Sequence, residues 1–220
     1  MRVTRCVFAC LALLLMSACQ QLTNPTIVDQ QTFSASAGSL NKLAVMPFAA
    51  RAGVVRDSAL IGVTDEQAAD LVARFAAEAL HAEGLSVVPA SDMAAVFANQ
   101  GRAVPRRDAK RAAEVAGVEF GATSVLMGQL VRWRERRGEA LGAEHPASVA
   151  FQMTLHEVPT GRRLWTSRFD HTQRTLTADP LVARKYPGRG TRFLTGAQLA
   201  RWGMRDAVTS LVEGQWRTSN

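Results

Sequence analysis

The first half of the chain combines buried-strand patterns with amphipathic helices. Residues 40–48, "LNKLAVMPF", form a short apolar run that Pro47 closes, which is typical of a buried strand leaving a sheet. Residues 85–89, "LSVVP", repeat this pattern. Because helical patterns follow both runs, the order of elements predicts an α/β layer.

Local end signals place the helices of this half. Thr64 and Gln67 have the spacing of a capping box, and Gly84 stands where a left-handed residue ends a helix. Between them, apolar side chains recur at helical spacing at Leu71, Val72, Phe75, Ala79 and Leu80. Two further helices are predicted, one capped by Ser91 and one running from Pro105 to a stop at Gly117.

The second half changes to the period of strands. Three strand-like runs follow one another, "ATSVLMGQLVRWRERR", "ASVAFQMTLHEV" and "RRLWTSRFDH", and residues 159–161 form a hairpin turn between the last two. In the middle run, residues 149, 151, 153 and 155 are apolar and their neighbours are mostly polar, so one face is buried and the other can be wet. Thr195 and Gln198 form a second capping box that opens a closing helix.

These patterns together predict an α/β (α+β) fold in a single domain. Its mixed sheet has a β-α-β-α-α start, an antiparallel three-strand meander and a C-terminal helix. The hydrophobic content of 47% is that of a chain with a real core, and no internal boundary divides it.

The first residues have the order of a secretory signal. Arg2 and Arg5 precede an uncharged run over residues 6–18, which is shorter than the about 20 apolar residues that span a bilayer. Residues 20–39 are polar and show no sustained period, which is typical of a tether.

Residues 15–19, "LMSAC", resemble the lipobox of bacterial lipoproteins. This resemblance implies cleavage before Cys19 and its lipidation with a diacylglyceryl group and palmitate. An ordinary signal peptidase would prefer a small residue in place of Met16. We therefore expect a signal peptide over 1–18, a lipidated cysteine and tether over 19–39, and a periplasmic domain over 40–220.

Cysteine and charge content narrow the chemistry. Cys6 and Cys10 lie in the predicted signal, so the mature chain keeps no cysteine for a disulfide, a thiolate nucleophile or a zinc site. The 26 Lys and Arg exceed the 19 Asp and Glu. In an exported protein, this excess favours lipid head groups, an acidic polysaccharide or an acidic protein over nucleic acid as the partner. A solvated arginine-rich surface without a partner explains the charge equally well.

The run "RWRERR" supplies the first part of a candidate basic surface. At strand period Arg132, Arg134 and Arg136 share one face, and Trp133 takes the other. A long basic loop follows at residues 171–193. The predicted basic binding surface therefore consists of Arg132, Arg134, Arg136, Arg184, Lys185, Arg189 and Arg192.

Motifs for catalysis or metal binding are missing from the sequence. The four histidines are scattered over separate elements, without H-E-x-x-H or an acidic cluster at ligand spacing. No G-x-S-x-G follows a strand. We predict no catalytic residue, no metal site, no cofactor and no enzymatic activity, and an envelope hydrolase is the least favoured alternative.

Three stretches carry a family resemblance: the strand "LAVMPF", the strand "GATSVLMG" and the hairpin "LHEVPTGRRLW". With the lipobox they resemble the α/β lipoproteins of Gram-negative outer membranes. That group includes the curli secretion lipoprotein, the Pel polysaccharide export lipoprotein and the lipoprotein activator of penicillin-binding proteins. The resemblance implies a non-enzymatic, periplasm-facing domain that self-assembles or docks on envelope machinery.

Two functions are consistent with this resemblance. The leading hypothesis is a membrane-anchored assembly or export accessory of the envelope, a homo-oligomer that contacts envelope proteins or an acidic polymer. The alternative is a regulatory lipoprotein that binds and activates a cell-wall synthase. Gln20, rather than Asp, after the lipidated cysteine fits the outer membrane as the destination.

Overall fold

A long strand, Ser124–Arg134, lies at the centre of a mixed eight-stranded sheet. The computed structural model describes residues 27–32, 40–56, 62–174, 186–187 and 191–218. In chain order the strands are β1 (Ile27–Thr32), β2 (Lys42–Val45), β3 (Ala49–Ala50), β4 (Val55–Arg56), β5 (Ser86–Val88), β6 (Ser124–Arg134), β7 (Arg137–Gly138), β8 (Ala143–His145), β9 (Ser148–Glu157) and β10 (Arg163–Thr172). The helices are α1 (Asp65–Ala82), α2 (Ala90–Asn99), α3 (Ala109–Phe120) and α4 (Gly196–Thr218).

The sheet is antiparallel on one side of β6 and parallel on the other. Strands β6, β9, β10 and β1 form the antiparallel part, in that order. Strands β2, β3 and β4 pair with successive parts of β6 in parallel, and β5 pairs with β2 at the edge. The predicted mixed sheet and three-strand meander are confirmed. The structure adds β1, the short strands β3 and β4, and a separate β7–β8 hairpin.

The sheet has an upper and a lower end. We call the upper end the one where β6 and β10 end and β9 begins. There Ser148, the first residue of β9, pairs with Arg134 of β6 and with Thr172 of β10. At the lower end the β9–β10 turn lies beside the first turn of α3, where Gly161 approaches Lys110.

Helices cover the two faces of the sheet unequally. On one face, α1 and α4 pack over β2, β6, β9 and β10 and enclose the larger core, which includes Phe48, Leu130, Phe151, Phe169 and Leu199. On the other face, α2 and α3 enclose a smaller core that includes Met46, Met93, Phe97, Ala116 and Met127. The smaller core contains no residue of β9 or β10, so it covers only the side of the sheet near β2 and β5.

The two capping boxes form as predicted. The Thr64 hydroxyl accepts a hydrogen bond from Gln67 N at 3.2 Å, and Thr64 N donates to Gln67 Oε1 at 2.9 Å. Thr195 and Gln198 make the same pair of bonds, at 3.1 and 3.0 Å, so side chains satisfy backbone N–H groups at the start of both α1 and α4.

The predicted ends of α2 and α3 need correction. Helix α2 begins after Pro89 without a side-chain cap, and Ser91 lies inside its first turn, where its hydroxyl donates to Asp92. Helix α3 begins after Asp108, whose carboxylate accepts from Arg111 N at 3.1 Å. It continues past Gly117 to a left-handed Gly121, because Gly117 gives room for the Val158 side chain.

The predicted tether contains an edge strand. Residues 20–39 read as a polar tether in the sequence, whereas residues 27–32 pair with β10 along the sheet edge. The sheet therefore begins eight residues after Cys19, which itself lies outside the described residues.

Candidate binding surface

An open face is formed by the side chains of β6, β9 and β10 that point away from α1 and α4. Strand alternation places Gln129, Arg132 and Arg134 of β6 beside Gln152 and Thr154 of β9 and Arg168 of β10. Within the described part of the chain, no helix packs over the centre of this face. The opposite side chains of the same strands fill the larger core, and Trp133 is one of them, at 3% exposure.

Two arginines of this face share one carboxylate. Arg132 Nη2 donates to Asp170 Oδ1, and Arg168 Nη2 donates to Asp170 Oδ2 at 3.1 Å. Burial raises the pKa of the Asp170 carboxyl, but the hydrogen bonds and charges of Arg132 and Arg168 outweigh it and lower the pKa overall. The ionised trio keeps one net positive charge.

A second pair of arginines extends the positive charge toward the upper end. Arg134 of β6 lies in register with Arg56 of β4. The Nε of Arg134 is buried and has no hydrogen-bond partner in the described part of the chain. Its charge has no carboxylate ion-pair partner among the described residues.

The predicted basic residues converge only in part. Arg132 and Arg134 lie on the open face as predicted. Arg136 does not share it, because β6 ends at Arg134 and the Arg136 guanidinium turns to donate to the Phe193 carbonyl at 2.6 Å. Arg192 is exposed at the upper end, where its carbonyl accepts from the Gln173 side chain at 2.9 Å. Arg184, Lys185 and Arg189 lie outside the described residues, as does Cys19.

A groove of about 240 Å³ lies toward the lower end of the open face. Its polar lining comes from the loop before α3 and from two neighbouring strands, namely Arg106, Arg107, Gln129, Gln152, Thr154 and His156. Arg106 is held in place, because it donates to Asp70 Oδ1 at 3.0 Å and to the Phe48 carbonyl. Arg107 is exposed at the rim, so its charge is available to a bound group.

His156 lines one side of the groove, and hydrogen bonds occupy both of its ring nitrogens. Its Nδ1 donates to the Gly161 carbonyl and its Nε2 accepts from the Thr154 hydroxyl, both at 2.9 Å. Burial lowers the pKa of His156. The hydrogen bond to the Gly161 carbonyl raises this pKa, but the positive charge of Arg163 lowers it further, so the overall shift is downward. Both ring nitrogens are already bonded, so His156 is poorly placed to act as a general base.

The sequence interpretation missed most of this groove. Alternation along β9 already placed Gln152, Thr154 and His156 on the wet face. The contribution of Arg106 and Arg107 had no sequence signal, because it depends on how the loop before α3 packs against β6 and β9.

Two absences among the described residues bear on the class of site. No group of three or more His, Cys, Asp or Glu side chains among them could hold a metal ion. None of the described helices combines the length and apolar character needed to cross a bilayer.

The chain shares its fold with PelC. The PelC dodecamer from Paraburkholderia phytofirmans aligns with a TM-score of 0.50 and 18% identity over 83% of this chain and 94% of that chain. Lipoprotein GNA1162 from Neisseria meningitidis aligns with a TM-score of 0.40 and 19% identity over 60% and 82% of the two chains. The LpoB C-terminal domain from Salmonella enterica aligns with a TM-score of 0.40 and 21% identity over 65% and 89%.

PelC is a member of the group of envelope lipoproteins that the sequence resembles, so the predicted resemblance is confirmed at the level of the fold. Only the PelC likeness bears on the fold, and at its level of identity it shows a shared fold alone. No protein-family model and no curated protein sequence matches the chain.

Proposed function

We propose that this chain is a non-enzymatic lipoprotein that acts as an assembly or export accessory of the Gram-negative envelope. Lipid on Cys19 anchors it in the outer membrane, facing the periplasm. It works by contact, and the open face is where an acidic polymer or the acidic surface of an envelope protein binds.

One observation supports this proposal: α1 and α4 seal one face of the sheet, whereas on the opposite face the part formed by β6, β9 and β10 presents arginines and amides. Burying polar groups costs free energy unless they form hydrogen bonds or ion pairs. A polar part of the sheet that no helix covers is therefore suited to a hydrated, charged partner. Asp170 neutralises only part of the charge, since it serves both Arg132 and Arg168. Complementary charge would then set specificity and association rate.

The homo-oligomeric state is part of the proposal. The shared fold supports it, because the PelC structure is a dodecamer. The size of the detergent-extracted full-length protein, measured by light scattering, tests this point. A closed homo-oligomer is expected, whereas a monomer would favour the regulatory lipoprotein that activates a cell-wall synthase.

Binding to an acidic polysaccharide tests the open face directly. The full-length protein in detergent is titrated with a polyuronate, and with uncharged dextran as the reference polymer. Removing one charge of the open face and one at the rim of its groove in Arg107→Gln/Arg168→Gln should weaken polyuronate binding by about five- to tenfold, since each exposed charge contributes up to about 1 kcal/mol. The loss should shrink as salt is added.

A matched variant separates the open face from general charge. Arg74 and Arg205 are exposed on α1 and α4, the helices that seal the other face. Arg74→Gln/Arg205→Gln removes the same charge and should leave the affinity nearly unchanged. Equal losses in both double variants, or no loss in either, would refute the assignment of the open face.

A further inference from the structure

The N-terminal end of β1 points toward the upper end of the sheet. Strand β1 is antiparallel to β10, with Ile27 opposite Phe169 and Thr32 opposite Trp165. Strand β10 runs toward the upper end, so Ile27 is the end of β1 that lies nearer to it. Ile27 follows Cys19 by eight positions in the chain, and eight extended steps can span at most about 28 Å. A lipid on Cys19 therefore holds the upper end close to the bilayer.

Positive charge predominates at this end. Among the described residues, the arginines at or above the end of β6 are Arg56, Arg134, Arg136, Arg137, Arg174 and Arg192, and the acidic residues are Asp65, Glu135, Glu139 and Glu144. Two of the four carboxylates already accept backbone N–H groups: Asp65 accepts from Gly53 and Val55, and Glu135 from Gly196. Each basic residue near an anionic membrane surface contributes about 1 kcal/mol of attraction.

An exposed leucine stands among these charges. Leu141 lies in the turn of the β7–β8 hairpin and is 80% exposed. The hairpin is fixed in place, because Phe193 N donates to the Ala140 carbonyl at 2.7 Å. A large apolar side chain that is held in water beside cationic groups is typical of residues that enter the head-group layer of a membrane.

We propose that the upper end docks on the anionic membrane that holds the lipid, with Leu141 entering the head-group layer. The inference rests on the lipidation of Cys19 in the proposed function. Strand β6 then rises away from the bilayer, and its 11 residues span about 36 Å. The groove near Arg107 therefore faces the periplasm, well away from the lipid head groups.

The structure supplies a matched control for Leu141. Val118 is 84% exposed and lies near the C-terminal end of α3, just before β6 begins at the lower end of the sheet. Leu141 and Val118 are thus similarly exposed apolar residues at opposite ends of the sheet.

Fluorescence from these two positions tests the docking. Full-length lipidated protein carrying Leu141→Cys or Val118→Cys, each labelled with an environment-sensitive fluorophore, is reconstituted into vesicles. The vesicles contain phosphatidylcholine alone or mixed with phosphatidylglycerol. We expect emission from position 141 to shift to the blue and rise about two- to threefold in the anionic vesicles, as it does for probes that leave water. Position 118 should not change.

Charge removal completes the test. Arg174→Gln/Arg192→Gln should abolish most of the change at position 141, whereas Arg74→Gln/Arg205→Gln should leave it intact. Protein that stays on the vesicles without a change at 141 overturns the docking but not the anchor. Protein that washes off the vesicles overturns both. A change of equal size in neutral vesicles contradicts the role of the arginines.

Discussion

Adding one methyl group at Gly203 tests the packing of α4 on the sheet. A Cβ at this position would lie 2.4 Å from Cε2 and 2.5 Å from Cζ of Phe169. Carbon atoms in contact prefer about 3.5–4.0 Å, so the ring or the helix would have to move by about 1 Å. Phe169 is fully buried and stacks on Phe151 with 5.0 Å between ring centroids, so the ring has little room.

The size of the effect follows from two opposing contributions. Overpacking of a close-packed core costs about 1–3 kcal/mol. Replacing a helical glycine with alanine gains about 0.5–1 kcal/mol. Gly214 provides the control, because it lies in the same helix and a Cβ there would meet no heavy atom within 4 Å. Gly214→Ala receives only the gain, so the difference between the two variants isolates the overpacking cost of about 1–3 kcal/mol.

Urea denaturation followed by far-ultraviolet circular dichroism measures both free energies of unfolding. In thermal scans Gly203→Ala should melt about 2–12 °C below Gly214→Ala, since 1 kcal/mol corresponds to about 2–4 °C in a chain of this size. If Gly203→Ala were as stable as Gly214→Ala, α4 would not rest on Phe169. The division into a sealed face and an open face would then fail.

Two further changes probe the open face and the start of α1. Asp170→Asn should lower the stability at neutral pH by about 1 kcal/mol, because two arginines lose their carboxylate. The lowered pKa of Asp170 means that its contribution is present above the unfolded-state pKa and is lost as the pH falls through the folded-state pKa. The free energies of unfolding of the wild type and Asp170→Asn should therefore converge in acid. Urea denaturation at neutral and acidic pH measures both, and an equal difference between the two proteins at both pH values would contradict this. Thr64→Ala removes the bond to Gln67 N and should cost about 1 kcal/mol in the same assay, whereas an unchanged midpoint would show that the box adds nothing.

The sequence predicted correctly those helix starts that are determined by residues close together in the chain. The boxes at Thr64 and Thr195 join residues three positions apart, so their spacing is visible in the sequence. The prediction that α3 ends at Gly117 was wrong, because a glycine can either end a helix or make room for a neighbouring side chain. Here Gly117 makes room for Val158, which is distant in sequence, and Gly121 with φ 62° ends the helix.

Strand β1 shows a different limit of the sequence pattern. Its residues "IVDQQT" have no clear alternation, and their partner is the edge of β10, more than a hundred residues later. An edge strand that contributes backbone hydrogen bonds needs little apolar character, so only the tertiary pairing reveals it.

The candidate surface was predictable where the strand period applied. Period two placed Arg132 and Arg134 on one face and Trp133 on the other. The same rule failed at Arg136, because β6 ends at Arg134 and strand alternation no longer applies beyond it. The Arg136 guanidinium instead donates to the Phe193 carbonyl. The neutralising role of Asp170 and the groove beside Arg107 depend on strand register and loop packing, which sequence spacing does not contain.

The mass of the mature N-terminal peptide tests most directly the claim that this is a lipid-anchored protein. Full-length protein is extracted from membranes with detergent, digested and analysed by mass spectrometry, with Cys19→Ser as the reference. The account predicts a chain that begins at Cys19 and carries a diacylglyceryl group, and a Cys19→Ser protein that no longer stays with the membrane. A mature wild-type chain without fatty acid on Cys19, or a Cys19→Ser protein that remains in the membrane, would contradict it.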